Sequence, residues 1–420
     1  MIEFLPVIIL VFSFLVLLTL GVPVAWCIAM SSMFTLMVAM PFSAATTTVS
    51  QRIGTGLDSF ALLAIPFFIL SGQIMSSGGI AHRLISFAKT LVGFLPGGLA
   101  LINIVSAMMM GAIAGSAMAS ASAMGTILGP EMEKEGYSKE FGAAVNITSS
   151  TTGLVIPPSN TLIVYSLASG GVSIAALFLA GYIPGILTGL FMMIVAIFWA
   201  KKHKYPVGKR SSLKEVFVKF VDAVPSLLLL VIVIGGIIGG VFTATEASAV
   251  AVLYTLLLSF YYKELSLKDL PKVILESTET TAIVMLLIGA SMCMSWVLSY
   301  ENIPQDISNF LLSVSDNKII ILLMINVILL AVGVFMDATP AVLIFTPIFL
   351  PIVTELGMDP THFGIVLMLN LCIGLCTPPV GSVLFVGVGI AKTTITKANI
   401  ATIGSKITPI TTNINTKQII

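Results

Sequence analysis

The chain has 420 residues, of which 57% are hydrophobic and only 9% charged, with a formal net charge of +1. A soluble domain carries about 25% charged residues, so a soluble fold is excluded. The near-neutral total offers a nucleic acid nothing, and the apolar runs exceed strand length without alternating, which makes this an all-α polytopic membrane protein in a lipid bilayer.

Two apolar segments, about 4–20 and 22–40, open the chain and meet at Gly21-Val22-Pro23. No basic residue precedes the first, and it runs on into the second, as in a retained membrane helix rather than a cleaved signal. A polar stretch, 41–58, carries Arg52 and Asp58, and a third span covers about 60–77. An interfacial segment with His82, Arg83 and Lys89 follows, then two apolar arms at 97–113 and 117–130. At about 17 and 14 residues these arms fall short of the roughly 20 needed to cross, which predicts a re-entrant helical hairpin. Its tip lies at 111–116, and beyond a charged loop (131–140) comes a broken helix, 141–169. A span at 174–200 ends in the basic run KKHKYPVGKR.

The second half repeats the plan. Spans at about 223–242 and 246–262 bracket GVFTATEAS, where Thr243-x-x-Glu246 has the spacing of a capping box. A span at 276–298 leads to an acidic loop with Glu301, Asp306 and Asp316. Arms at 318–334 and 338–352 surround a second tip, 333–337, and a second broken helix covers 363–390. The chain therefore divides into N-terminal scaffold helices (1–57), a first repeat (58–170), scaffold helices with a basic cytoplasmic loop (171–278), a second repeat (279–394) and a polar tail (395–420).

The breaks are written in GLVIPPSN (153–160) and its echo GLCTPPVG (374–381). Each Pro-Pro pair removes two backbone donors inside an apolar run. In hydrocarbon the freed carbonyls are tolerated only where the backbone lines a site or is buried in protein. Adding 221 to Gly153, Leu154, Pro157 and Pro158 gives Gly374, Leu375, Pro378 and Pro379. With the N-terminus outside, 18 of the 20 basic residues fall inside, Arg52 and Lys318 being the exceptions. The same assignment starts the two repeats on opposite sides, so they are expected to be inverted, as in alternating-access transporters.

Each half thus offers a hairpin tip and a helix break. Carbonyls freed at a helix end are hard oxygen ligands suited to Na⁺, and glycine lets two backbones approach closely. The candidate sodium ligands are Gly111, Ala114, Gly153, Ile156 and Pro157 in the first half. Gly333, Gly374, Thr377 and Val380 are their counterparts in the second, Thr377 adding a hydroxyl. A substrate anion would instead meet the positive N-terminal ends of half-helices, where Ser116, Ser159, Asn160 and Thr161 stand. Asp337 is the carboxylate deepest in the apolar sequence. A mid-membrane Asp costs about 2.5–3.5 kcal/mol, so it either binds a cation or substrate hydroxyls, or caps the arm that begins before Thr339-Pro340.

Other signals carry nothing. GVGIAKTT (387–394) has Ala391 where a phosphate loop needs its second glycine. Asn146-Ile-Thr148 fits a glycosylation acceptor but lies in an apolar span. Cys27, Cys293, Cys372 and Cys376 form neither a redox nor a zinc pattern, and the three histidines are scattered through loops.

NITSSTTGLVIPPSNTLIVYSLASGGVSIAALFLAGYIPGIL (146–187), IPFFILSGQIM (65–75), GGVFTATEASAVAVLY (239–254), MDATPAVLIFTPIFLPI (336–352) and HFGIVLMLNLCIGLCTPPVGSVLFVG (362–387) resemble the large permease subunit of tripartite ATP-independent periplasmic (TRAP) transporters. The resemblance covers residues 1 to about 394; KANIATIGSKITPITTNINTKQII (397–420) has no apolar run where that family has a final helix, and reads like a frameshift or truncation. The resemblance implies an elevator-type ion transporter fold with inverted repeats, two re-entrant hairpins and two broken helices. It also implies two Na⁺ sites at the tip–break pairs, with Na⁺ as coupling ion, a small four-helix membrane subunit and a periplasmic substrate-binding protein. Gly111 and Ala114 replace positions where relatives often carry serine, so backbone oxygens would serve that sodium site. The expected function is Na⁺-coupled import of a small organic acid across the bacterial inner membrane, by a multi-pass protein that is not an enzyme. The rivals are a free-standing ion or dicarboxylate symporter and an integral membrane enzyme, the latter lacking a histidine within a span to pair with a nucleophile.

Overall fold

The computed structural model of the protein describes residues 5–77, 80–208, 210–315, 317–378 and 381–393. The polar tail (395–420) and the candidate ligand Val380 lie outside the described residues. Among those described, the fold is helical apart from one isolated bridge between Pro96 and Val207.

Helices α1 (Leu5–Thr19) and α2 (Val24–Ala39) pack on each other. The expected polar stretch that follows is instead a helix, α3 (Phe42–Leu57), which meets α4 (Ala64–Ser77) at a bend of 63°. Its threonines explain how it survives: Thr46, Thr47 and Thr55 donate their hydroxyls to carbonyls four residues earlier, hiding their polarity in the helix itself. An amphipathic α5 (Ile80–Val92) leads to the arms α6 (Gly98–Ala114) and α7 (Ala117–Lys134) of the first hairpin. The first broken helix is α8 (Lys139–Ser150), α9 (Thr152–Val155) and α10 (Asn160–Ala168), and α11 (Ile174–Lys202) follows it.

In the second half, α12 (Leu213–Ile238), α13 (Ala244–Tyr261) and α14 (Leu270–Tyr300) each begin before the apolar run that announces them, by up to about ten residues. The Thr243–Glu246 capping box forms: the Thr243 N–H donates to Glu246 at 2.8 Å, and the Glu246 N–H donates to the Thr243 hydroxyl at 3.2 Å. The expected acidic loop contains a helix, α15 (Ile303–Val314), amphipathic like α5 and at the same place in its half. Then come the second hairpin, α16 (Lys318–Phe335) and α17 (Ala338–Glu355), and the second broken helix, α18 (Pro360–Leu375) and α19 (Ser382–Ile390).

Six of the described helices, α11 to α14, α16 and α17, have the length and apolarity to cross a membrane. The outward faces of α1, α11, α12 and α13 expose Phe12, Phe198, Val231 and Leu257, side chains that water would not tolerate in such density but lipid does. At the centre the reverse holds. Along α8 and α18 nearly every residue is buried. The halves also exchange parts: α10 packs on α17, and α19 packs on α7. Each broken helix therefore leans its first segment on its own hairpin and its second segment on the other's.

Candidate functional site

The first break begins before its prolines. Thr148, Ser150, Thr151 and Thr152 each donate a hydroxyl to a carbonyl three or four residues back, a pattern that bends helices. The chain then leaves helical geometry at Ile156, which is extended, and the Pro157-Pro158 peptide is cis. Ser159 is fully buried; its hydroxyl donates to the Leu154 carbonyl at 2.7 Å and accepts from the Leu162 N–H at 3.4 Å. Ser159 is thus a cap that repairs the break, and it does not line the central cavity where a substrate ligand is needed.

Both predicted tip–break pairs are brought together, and through glycine in each case. A Cβ on Gly111 would collide with the Cα of Gly153, and one on Gly153 with the Cα of Gly111. In the second half a Cβ on Gly333 would stand 3.1 Å from the Gly374 Cα, and one on Gly374 would strike the Gly333 backbone. Ala114 ends α6 beside the first lock, while buried Ile156 and Pro157 follow α9. At the second, the Gly381 N–H donates to the Val334 carbonyl at 2.9 Å, tying break to hairpin. The half-buried Thr377 donates its hydroxyl to the Ile373 carbonyl at 2.7 Å, leaving its oxygen lone pairs for a ligand.

Between the two tips lies a cavity of about 310 Å³. Ser116, Asn160, Thr161 and Asp337 all line it, as their sequence positions predict. Ser116 begins α7, accepting from the Ala119 N–H at 3.4 Å. Asp337 stands at the N-terminal cap of α17 yet makes no side-chain cap bond. It accepts instead from the Ser382 hydroxyl, 3.0 Å away at the start of α19.

Electrostatics divide the site in two. Helices α6, α9, α16 and α18 end at the glycine locks, placing the negative ends of their dipoles there. Helices α7, α10, α17 and α19 begin at the cavity, aiming four positive ends into it. Among the described residues, no Lys or Arg lines the cavity. The arrangement suits a cation at each lock and an anion between them, with one carboxylate to receive donors.

Sequence reasoning missed the wall opposite. Gln73 and Ser76 on α4, and Thr280 on α14, complete the lining. Gln73 is a lone amide in IPFFILSGQIM, and Thr280 belongs to the polar run Ser277–Thr281; both were visible as polar interruptions, but nothing in a single sequence told which way they face.

A polytopic helical bundle with two hairpin tips and two interrupted helices closing on one cavity has the architecture of a membrane transporter. Its fold matches that of the YdaH transporter of Alcanivorax borkumensis, with a TM-score of 0.61 at 13% identity, covering 90% of this chain and 87% of that one. The family model of the tripartite ATP-independent periplasmic transporter, DctM component, matches residues 11–413, and the chain belongs to that family. The match runs past residue 394, where the sequence resemblance was expected to stop. A Salmonella typhimurium relative described as uncharacterized protein YgiK is 56% identical over 93% of this chain and 90% of its own length. The C4-dicarboxylate TRAP transporter large permease protein DctM of Rhodobacter capsulatus is 37% identical over 84% of each chain. The sialic acid TRAP transporter large permease protein SiaM of Vibrio cholerae is 37% identical over 90% of this chain and 88% of its own. The latter two relatives are transporter permeases, not enzymes, and this chain is a multi-pass membrane protein of the same family.

Proposed function

We propose that the protein is the large subunit of a Na⁺-coupled importer of a small organic acid in a bacterial inner membrane. The observation that carries this reading is the cavity between the two hairpin tips, where four helix N-termini meet and two glycine locks flank them. Helix starts favour a carboxylate, and helix ends at the locks favour Na⁺. Inverted repeats are supported by the order of contacts between the broken helices: Ile147 meets Cys376, Thr151 meets Cys372 and Tyr165 meets Pro360. One number rises while the other falls, so the two helices run antiparallel, as a two-fold axis in the membrane plane requires. The body made by the hairpins and broken helices would move past a scaffold of α2 to α4 and α12 to α14, carrying the cavity across.

Relatives are named for C4-dicarboxylates, for sialic acid and, in Escherichia coli, for 2,3-diketo-L-gulonate. Asp337 favours the hydroxylated acids: it repels a second carboxylate but accepts bonds from hydroxyls or an amide. Two Na⁺ with one monoanion bring in one net charge, worth about 2.3 kcal/mol per 100 mV before the sodium gradient is counted. The family's tripartite, periplasmic character supports a small four-helix membrane subunit and a periplasmic substrate-binding protein as partners.

The test is uptake into proteoliposomes holding the permease with its co-encoded partners. Uptake of a sugar acid should require an inward Na⁺ gradient; equal uptake on K⁺ or protons alone would remove the coupling. Asp337→Asn should weaken uptake of a hydroxylated acid by about tenfold, the effect of leaving a buried partner unpaired, while Na⁺ binding persists. Wild-type kinetics in that variant would remove Asp337 from the substrate site.

A further inference from the structure

Below each glycine lock lies a buried polar pair that the site does not use. In the first half the Ser149 hydroxyl donates to the Asn103 amide oxygen at 3.2 Å, joining α8 to α6. In the second, the Asn370 amide donates to the Asn326 amide oxygen at 2.6 Å, joining α18 to α16. Asn103, Ser149 and Asn370 are almost fully buried. The two pairs are counterparts: 103 plus 223 is 326 and 149 plus 221 is 370, beside 111 plus 222 giving 333 and 153 plus 221 giving 374 for the locks. Ser149 and Asn370 each stand four residues before the lock glycine of their helix.

An apolar helix pair in a membrane slides at little cost, since lipid is as apolar as the partner helix. A hydrogen-bonded pair opposes that, because a slip takes from the Asn103 or Asn326 amide oxygen its donor, while Ser149 and Asn370 keep their bonds to Asn146 and Val366 in their own helix; single buried polar residues fix register in coiled coils in this way. Register matters here because one residue of slip moves a helix by about 1.5 Å, whereas metal–oxygen distances tolerate only about 0.2 Å. We propose that Asn103–Ser149 and Asn326–Asn370 are positioning pairs that hold each hairpin's first arm in register against its broken helix and so set the sodium affinity of the adjoining lock. The inference rests on the sodium reading above. It adds that two residue pairs touching neither ion nor substrate govern how tightly the ion is held. The pairs differ in chemistry, Asn with Ser and Asn with Asn, so each shows what the other should tolerate.

The experiment titrates the full-length protein in detergent with NaCl against choline chloride and follows the unfolding midpoint, which rises with any ligand bound to the folded state. No substrate is needed. Asn370→Leu should move the sodium concentration for the half-maximal rise upward by about tenfold, near the most that an interhelical hydrogen bond contributes. Asn370→Ser, which recreates the pairing of the first half, should titrate close to wild type, as should Ser149→Asn. Where Asn370→Leu does not accumulate in the membrane, Ser149→Ala and Asn326→Ala carry the same expectation. Superimposable titrations for wild type and the apolar variants would overturn the inference, and so would an Asn370→Ser shift as large as that of Asn370→Leu. A wild-type midpoint indifferent to NaCl is a different result: it removes the sodium reading itself.

Discussion

Cys372 donates its thiol hydrogen to the carbonyl of Thr151, 3.4 Å away and 221 positions earlier in the chain. The same shift carries Gly153, Pro157 and Pro158 onto Gly374, Pro378 and Pro379, so each partner touches its own counterpart in the other half. Thr151 and Cys372 thus mark where the two broken helices meet.

All four cysteines are free and buried, two of them at this crossing. A thiol reagent has to reach the sulfur, and a buried side chain is closed to it. Maleimide should therefore modify none of them in the folded protein and all four after denaturation. Native labelling at Cys372 would mean that the broken helices do not stay closed on each other.

The glycine locks predict a sharp position dependence. Gly111→Ala and Gly374→Ala put a methyl group into backbone and should cost about 1–3 kcal/mol, as overpacking does. They should also raise the Na⁺ concentration needed for half-maximal uptake. Gly129→Ala on α7, where an added Cβ meets nothing within 4 Å, should leave the sodium curve unchanged. Equal curves for all three variants would detach the locks from ion binding.

Thr377 supplies the side-chain oxygen expected at the second lock. Thr377→Val keeps its shape and removes the hydroxyl, along with the bond to the Ile373 carbonyl. Uptake should then need more Na⁺ for half-maximal rate, with substrate affinity at saturating Na⁺ preserved. If the loss falls on substrate affinity alone, Thr377 belongs to the cavity instead.

At the exposed start of α18, Asp359 accepts from the Thr361 N–H at 2.8 Å and the His362 N–H at 3.2 Å. The His362 bond first, then Thr361, holds its carboxyl below the usual range. A depressed folded pKa contributes stability above the ordinary value near 3.9, which is lost as pH falls through the depressed value. Asp359→Ala should cost about 1 kcal/mol at neutral pH, as a lost N-cap does. The gap to wild type should narrow as the pH drops below about 4. A gap that widens in acid would show the carboxylate to be destabilising.

Much of the site was legible because proline and glycine act on their own backbone. Pro157 and Pro158 take two successive donors from their own backbone, where the single prolines Pro184 and Pro225 leave α11 and α12 continuous, and the capping box needs only residues three apart. Helices α3 and α15 were illegible for the opposite reason: Thr46, Thr55 and Asp306 look like loop residues until the apolar face they interrupt finds a partner. Ser159 and Ser116 precede helix starts alike in sequence and both cap their helices, yet Ser159 is fully buried while Ser116 also lines the cavity.

The sequence by itself determined that the chain lives in a bilayer, that the GL-x-x-PP motif recurs at a spacing of 221, and where the two helices carrying it break, because composition, register and backbone chemistry are local or additive. Only the tertiary structure decided which broken ends share a cavity, that Gln73 and Thr280 face it, and that Asp337 meets the Ser382 hydroxyl at the start of α19. Those are pairings across tens to hundreds of residues, set by how helices pack. A side chain's polarity fixes what partner it needs, while packing alone fixes which partner it meets.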